Sequence, residues 1–356
     1  MHAFSESDRS PWLLYGAYGF TGELVARLAV ERGERPVLAG RDAARLEPLA
    51  RELDLEWRQL SLDGPAALAA ALADIAAVAH CAGPFSATSK PMVDACLAAG
   101  VHYLDITGEI TVLEATHARD AEARAAGIVL LSGGGFDVVP SDCLLTMAAA
   151  DLPNADRLEL AFRSRGGVSQ GTARSALESI GEMSLARRDG VIVSIERAAR
   201  RLSISFGGRP VQLTAISWGD VSTAFHSTGI GNVATYTQLP RGASPGARIA
   251  GFATSVPGAG RLVRGALARA VGRMPNPTAE SMATGGVELW ARATDPSGAT
   301  VERRMRTPDG YLLTADSVVR IASRLCAGGL PAGAHTPSSL LGAQFALELD
   351  GVQLVD

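Results

Sequence analysis

Three glycines set three apart, Gly16, Gly19 and Gly22, close an apolar run Leu13-Leu14-Tyr15 and open an amphipathic segment from Glu23 to Arg32. That pattern is strand, tight turn, helix. Its chemistry is anion binding, because unpaired N–H groups and the helix dipole attract a phosphate that can come close to backbone. Gly16 makes the turn, Gly19 lets a pyrophosphate approach, and Gly22 lets the helix lie on the strand. Ala17, Tyr18, Phe20 and Thr21 complete the loop. A second strand, Arg35 to Gly40, follows about 20 residues on, where a dinucleotide fold reads the ribose. Arg41 stands after Gly40, with no acid at Ala39 or Gly40. A guanidinium pairs with a 2′-phosphate, whereas an acid accepts from a free 2′-hydroxyl. NADP(H) is therefore expected over NAD(H). Asp42, next door, reads as a helix cap or a weak counter-argument.

Hydride transfer asks the protein for positioning and one proton donor. Three candidates carry that role. Lys90, the only lysine, follows a Gly-Pro loop at the start of a helix. Asp137 follows three glycines. His226 sits among hydroxyls in Ala224-Phe225-His226-Ser227-Thr228-Gly229. Two of them have a structural alternative: solvation for Lys90, a hydrogen-bonded structural place for His226. Asp142 reads as a helix cap, and Asp105 and Glu109 as loop-orienting groups. Cys81, Ala82, Gly83 and Pro84 end a buried strand and are expected along the nicotinamide half of the cofactor, with His80 a core histidine. Asp63 either bonds the adenine amino group or caps a helix opening at Pro65. Ser169, Thr172 and Arg174 follow glycines in a second candidate loop. Tyr103 is not followed by Lys one turn on, so the Ser-Tyr-Lys arrangement of short-chain dehydrogenases is missing. No metal site is expected.

The elements that must position these groups alternate strand and helix. Six strands and five helices, ending at Leu131, predict an α/β doubly wound parallel sheet of the Rossmann type. Its ligand crevice lies between the first and fourth strands, where chain order reverses. Beyond Arg157 the texture changes to short alternating strands, with a hairpin around Asp295-Pro296-Ser297-Gly298. A helix is expected over 173–188. A second α+β domain with a mostly antiparallel sheet follows. The expected boundaries are 1–135 for the nucleotide-binding domain, 136–310 for the substrate and dimerisation domain, and 311–356 for C-terminal helices returning to the first. The Ser132-Gly133-Gly134-Gly135 run reads as a hinge and a site loop.

At 356 residues the chain exceeds one usual core. A net charge of −4 points away from nucleic acid. The four cysteines form no C-x-x-C pair, which favours reduced, buried thiols. The polar N-terminus lacks a signal peptide's apolar core, and no run is long enough to span a membrane, so a cytoplasmic protein is expected. A basic amphipathic stretch at 245–273 is the one place where membrane contact is conceivable. A homodimer is the default assembly.

Several stretches resemble the saccharopine dehydrogenase-like oxidoreductases: Gly16 to Gly22, Ala39-Gly40-Arg41, Ala82-Gly83-Pro84-Phe85, Tyr103 to Glu109, and Gly135 to Asp142. Within that group the chain is similar to the short bacterial members of trans-acting enoyl reductase type. The resemblance implies NADP(H), hydride transfer, an inserted α/β domain and a returning C-terminal helix. The basic set that would grip a dicarboxylic amino acid finds no match. The expected reaction is thus NADPH-dependent reduction of an activated C=C bond, on a small-molecule or acyl-chain substrate. C=N reduction of the saccharopine type, or a non-catalytic NADPH sensor, are the alternatives.

Overall fold

The computed structural model describes residues 11–165, 183–196, 201–206, 208, 210–238 and 275–355. The expectations for Ser169, Thr172, Arg174, the 245–273 stretch and the first ten residues lie outside these. The chain divides into two compact units, Met1–Cys143 with Gly310–Asp350, and Leu144–Asp309 with Gly351–Asp356.

The first unit is built on β1 (Trp12–Tyr15), whose four residues are all buried. A strand apolar on both faces suits the centre of a parallel sheet covered by helices. Parallel pairing joins β1 to β2 (Val37–Gly40) on one side and to β4 (Ala77–His80) on the other. β3 (Trp57–Gln59), β5 (His102–Asp105) and β6 (Val129–Leu131) extend the sheet in parallel. The strand order is β3-β2-β1-β4-β5-β6, and a seventh strand, β15 (Gly333–His335), adds to β6. The doubly wound Rossmann-type sheet is therefore present, with one strand more than the sequence suggested. β15 escaped notice because three residues beside glycines carry no alternation.

Helix α1 (Phe20–Glu31) buries Gly22, Val25, Ala26 and Ala29, an i, i+3, i+4, i+7 stripe. α2 (Ala43–Leu53) buries Leu46, Leu49 and Ala50, and Asp42 caps it by accepting from the Arg45 amide. α3 is Pro65–Ala70 and α4 is Phe85–Ala99. The expected single helix from Thr111 to Ala126 is two, α5 (Ile110–His117) and α6 (Asp120–Ala126). α10 (Gly310–Ala327) packs against α1 and the sheet, and Arg32, which ends α1 as its C-cap, pairs with Asp316 of α10.

The second unit centres on β7 (Arg157–Arg165), flanked by β12 (Asn232–Thr237) in parallel and β13 (Gly286–Thr294) antiparallel. β13 and β14 (Thr300–Thr307) form the expected hairpin, with Asp295 Oδ1 accepting from the Ser297 and Ala299 amides. β10 (Arg201–Ile204), β11 (Val211–Ile216) and β16 (Gln353–Val355) complete the order β10-β11-β12-β7-β13-β14-β16. The sheet is mostly antiparallel, as expected, except at β7–β12. The helix expected over 173–188 gives way to strand at its end. β8 (Ser184–Arg188) pairs with β9 (Val191–Ile195) around Asp189-Gly190, both at positive φ. An Asp-Gly pair in that conformation matches the twist of a hairpin and overrides the helical spacing.

Candidate nucleotide-binding and catalytic site

The glycine turn has the geometry its spacing implies. Gly16 adopts φ +84°, and a Cβ there would lie 2.8 Å from the Ala82 Cβ. A Cβ on Gly22 would lie 2.2 Å from the Gly16 carbonyl oxygen. Only glycine lets α1 start this close to the turn. Gly19 is the N-cap of α1 and has no side chain with which to satisfy the first amides. Beyond the Gly16 oxygen at 3.1 Å, nothing crowds the place where its Cβ would be. An uncapped helix N-terminus with a side-chain-free approach fits a pyrophosphate.

The turn is pinned from outside: the Gly16 amide donates to the Ala39 carbonyl at 2.8 Å. After Ala39, Gly40 lies beneath the Tyr18 ring, and Arg41 follows it, exposed. Arg41 is close enough to act electrostatically on the Tyr15 hydroxyl, which burial pushes up to about 12. Asp63 is not the cap of α3. Gly64 takes that position without a side-chain bond, and Asp63 Oδ2 accepts from the Ser61 hydroxyl at 2.7 Å instead. Nothing here ties Asp63 to an adenine.

Across the switch point, the Cys81 amide donates to the Tyr15 carbonyl at 2.8 Å, so β1 and β4 stay paired up to the loop. The Ala82 carbonyl accepts from Thr88 Oγ1 at 2.7 Å and lies 3.2 Å from His80 Nε2. The Gly83–Pro84 bond is cis. Glu109, reaching over from the end of β5, accepts from the Phe85 and Ser86 amides at 2.9 and 2.7 Å. It supplies the cap that Pro84 cannot give α4, which makes it a loop-orienting group. Burial pushes the Cys81 thiol up to about 12, so it stays a neutral thiol. His80 is fully buried, its ring drawn down to about 4 by desolvation, and is a core histidine as expected.

Beneath this floor, Asp105 is the knot. Its carboxylate accepts from the Thr107 and Gly133 amides, the Tyr103 hydroxyl and the Ser132 hydroxyl. Burial raises its carboxyl in spite of those bonds. The Gly134 amide donates to the Asp105 carbonyl at 2.6 Å, and the Ser317 hydroxyl to the Gly134 carbonyl. The glycine run after β6 is thus buried and bonded on both sides, not the slack hinge its composition suggests. Its glycines are there for close packing: a Cβ on Gly134 would lie 2.2 Å from Leu104 Cδ1.

Of the three candidate proton donors, Asp137 stands at the end of this run. Its side chain rests on Gly108, where a Cβ would lie 2.9 Å from both its Cβ and its Oδ2. It is half-buried, and burial pushes its carboxyl up to about 6. It has no hydrogen-bonding or ionic partner among the described residues. Lys90 is placed differently. It lies on α4 with its side chain 78% exposed and its amine 2.6 Å from Asp94 Oδ2, which matches its solvated alternative. His226 belongs to the second unit, on α8 (Asp220–Thr228), exposed and edge-on to Phe225. Asp142 is buried inside α7 (Val139–Asp151) and accepts from the Ser338 amide at 2.9 Å. Asp142 thus satisfies a first-turn amide of α11 (Pro337–Leu341), a helix far along the chain whose N-cap is Thr336.

Two residues near the site were given no role by the sequence reading. Tyr311, at the start of α10, meets Phe20 of the glycine loop edge to face at 5.0 Å. Phe136 packs on Gly310, and its amide donates to Thr314 Oγ1 at 2.9 Å. Both depend on a segment that returns after the second unit. Among the described residues no group of three or more His, Cys, Asp or Glu is placed to hold a metal ion, and no helix is long and apolar enough to cross a membrane.

A glycine turn at an uncapped helix N-terminus, with an arginine after the second strand, defines a dinucleotide-binding unit. Residues 12–131 match the family model described as the saccharopine dehydrogenase NADP binding domain. This part of the chain is similar to the NADP-binding domain of the saccharopine dehydrogenase family. Among curated proteins, the chain is 32% identical over 188 residues to a putative trans-acting enoyl reductase of Mycobacterium tuberculosis, covering 48% of this chain and 44% of that protein. It is 36% identical over 140 residues to the trans-acting enoyl reductase of Mycobacterium leprae, covering 36% and 33%. It is 31% identical over 152 residues to a probable mitochondrial saccharopine dehydrogenase-like oxidoreductase of Arabidopsis thaliana, covering 36% and 32%. The chain thus spans less than half the length of these relatives. Saccharopine dehydrogenase (L-Glu forming) of Saccharomyces cerevisiae shares the fold, with a TM-score of 0.68 at 12% identity, over 98% of this chain and 100% of that one.

Proposed function

We propose that this chain is an NADPH-dependent reductase that saturates an activated C=C bond of an acyl-chain substrate, with Asp137 as the proton donor. The observation that carries it is Asp137 itself: a half-buried carboxyl without a partner among the described residues, held near 6, at the strand ends of the nucleotide-binding unit. Bound NADPH supplies the hydride. The protein must then neutralise the carbanion or enolate that hydride addition leaves. Asp137 gives its proton to that carbon or oxygen and recovers one from water. A donor titrating near the working pH is the efficient choice. Arg41 holds the cofactor's 2′-phosphate, the amides at Phe20 to Gly22 its pyrophosphate, and the Cys81–Pro84 loop its nicotinamide end. The enoyl substrate follows from the names of the curated relatives.

The test is to follow NADPH oxidation with enoyl thioesters and, separately, with amine–carbonyl mixtures. Turnover of the thioesters that falls about 100-fold or more in Asp137→Asn supports the proposal, that being the usual scale for a general acid. Turnover of the amine–carbonyl panel alone would reassign the bond reduced to C=N. Oxidation of NADPH with neither panel would leave an NADPH-binding sensor.

A further inference from the structure

The corner at the end of β2 holds one arrangement that the reading above leaves unused. A Cβ on Gly40 would lie 2.5 Å from Tyr18 Cε1, so the edge of that ring is pressed against the strand end. Over the face of the same ring stands the Arg45 guanidinium, its Cζ 4.4 Å from the centroid. Arg45 Nη2 donates to the Tyr18 carbonyl at 3.0 Å. That bond uses one of five N–H donors. The carboxylates around it are engaged elsewhere: Asp42 with the Arg45 amide, Asp63 with Ser61, and Glu47 with Arg51. Arg41 makes no ion pair among the described residues. The corner therefore presents two guanidinium groups with open donors, one exposed and one held in place by an aromatic ring.

We propose that Arg45 is the second arm of a clamp on the cofactor's 2′-phosphate, and that Tyr18 is the positioning residue that holds it. The inference rests on the NADPH reading above. A 2′-phosphate is a dianion with three acceptor oxygens, more than one guanidinium satisfies. Stacking fixes the plane of the second fork before the ligand arrives, so less side-chain entropy is lost on binding. Gly40 has a second reason to be glycine, because any side chain there would displace the Tyr18 ring.

Fluorescence titration of the full chain with NADPH and with NADH tests this, with calorimetric titration of adenosine 2′,5′-bisphosphate and 5′-AMP alongside. Arg45→Ala is expected to weaken NADPH and the bisphosphate about tenfold and to leave NADH and AMP within about twofold, as a charge-assisted phosphate contact would. Arg45→Met, which keeps the stem, is expected to do the same and guards against a packing artefact. Tyr18→Leu should weaken NADPH about fivefold, and Tyr18→Phe should restore it, since the stacked ring survives. An equal loss for both cofactors, or a Tyr18→Phe as weak as Tyr18→Leu, overturns the clamp. A wild type that discriminates, with Arg45→Ala discriminating just as well, sinks this inference alone. A wild type that binds both cofactors equally sinks the NADPH reading with it.

Discussion

The two units solve the same problem of covering a sheet, by opposite means. In the first, the central strands β1, β2 and β4 are buried along their whole length in a parallel sheet joined by crossover helices. In the second, the central strand β7 waits for partners far along the chain, β12 and β13. One of its faces carries ion pairs between neighbouring strands: Arg292 with Glu159, and Arg163 and Arg306 with Glu288. The lesson concerns where function is recorded. The first unit writes its site in backbone, through glycines and amides at strand ends, where a single added methyl group would collide. The second writes its sheet in paired side chains, which tolerate exchange.

The sharpest way to break this contrast is Gly22→Ala. The added Cβ would collide with the Gly16 carbonyl at 2.2 Å. NADPH affinity should fall by about 100-fold or more, with a stability loss of about 1–3 kcal/mol typical of overpacking. Cofactor titration and thermal melting measure both, and unchanged binding would mean the turn is not the phosphate cradle.

Asp137→Asn comes next. With the carboxyl at about 6 in the folded protein against an ordinary 3.8, the folded state holds the extra proton between those values. Stability is therefore full below the lower value, falls as pH rises to about 6, and is level above it. The Asn variant should lose that decline, gaining about 1–2 kcal/mol at pH 8 after discount for partial exposure. Its residual activity should no longer fall as pH rises through 6. Denaturant melts at pH 4 and pH 8 decide the first point, and a pH–rate profile the second.

A smaller effect is expected in the second unit. Arg292→Ala leaves the half-buried Glu159 with only the Tyr236 hydroxyl, at 3.3 Å, among the described residues. It should cost about 1–3 kcal/mol of stability, the scale for a group deprived of its charged partner. NADPH affinity should stay within about twofold, since this sheet provides none of the turn's amides; a larger loss would erase the distinction between the units. The smallest effect belongs to Lys90→Ala. An exposed i, i+4 pair with Asp94 is worth under about 0.5 kcal/mol, and turnover should stay near wild type. A hundredfold drop in turnover would return Lys90 to the role of proton donor.

Legibility followed the same divide. The Gly16–Gly22 turn, Arg41 after β2 and the order of the first six strands are local patterns, and they were readable because each signal lies within a few residues of the element it shapes. Asp63 and Asp142 misled because a carboxylate beside a helix start looks like that helix's own cap. The one turned to Ser61, and the other to Ser338. β8 misled because Ala- and Arg-rich residues can sit at helical spacing until an Asp-Gly turn folds them back. The contacts of Tyr311 and Phe136, strand β15 and the Tyr18–Arg45 stack were invisible, since each depends on a partner that is not a sequence neighbour.

By itself the sequence determined which backbone bends where: a glycine triplet that turns a strand tightly into a helix, apolar runs too short for helices, and an arginine after the second strand. Those follow from steric and hydrogen-bonding limits that act within a turn or two. The tertiary structure alone decided which carboxyl would stay without a hydrogen-bonding partner among the described residues. Asp105 and Asp137 have the same chemistry, one ending β5 and the other following the glycine run after the neighbouring β6. Asp105 collects four hydrogen bonds, whereas Asp137 is shut against Gly108 without one. Desolvation is a property of the surroundings, and the surroundings exist only once distant segments have come together.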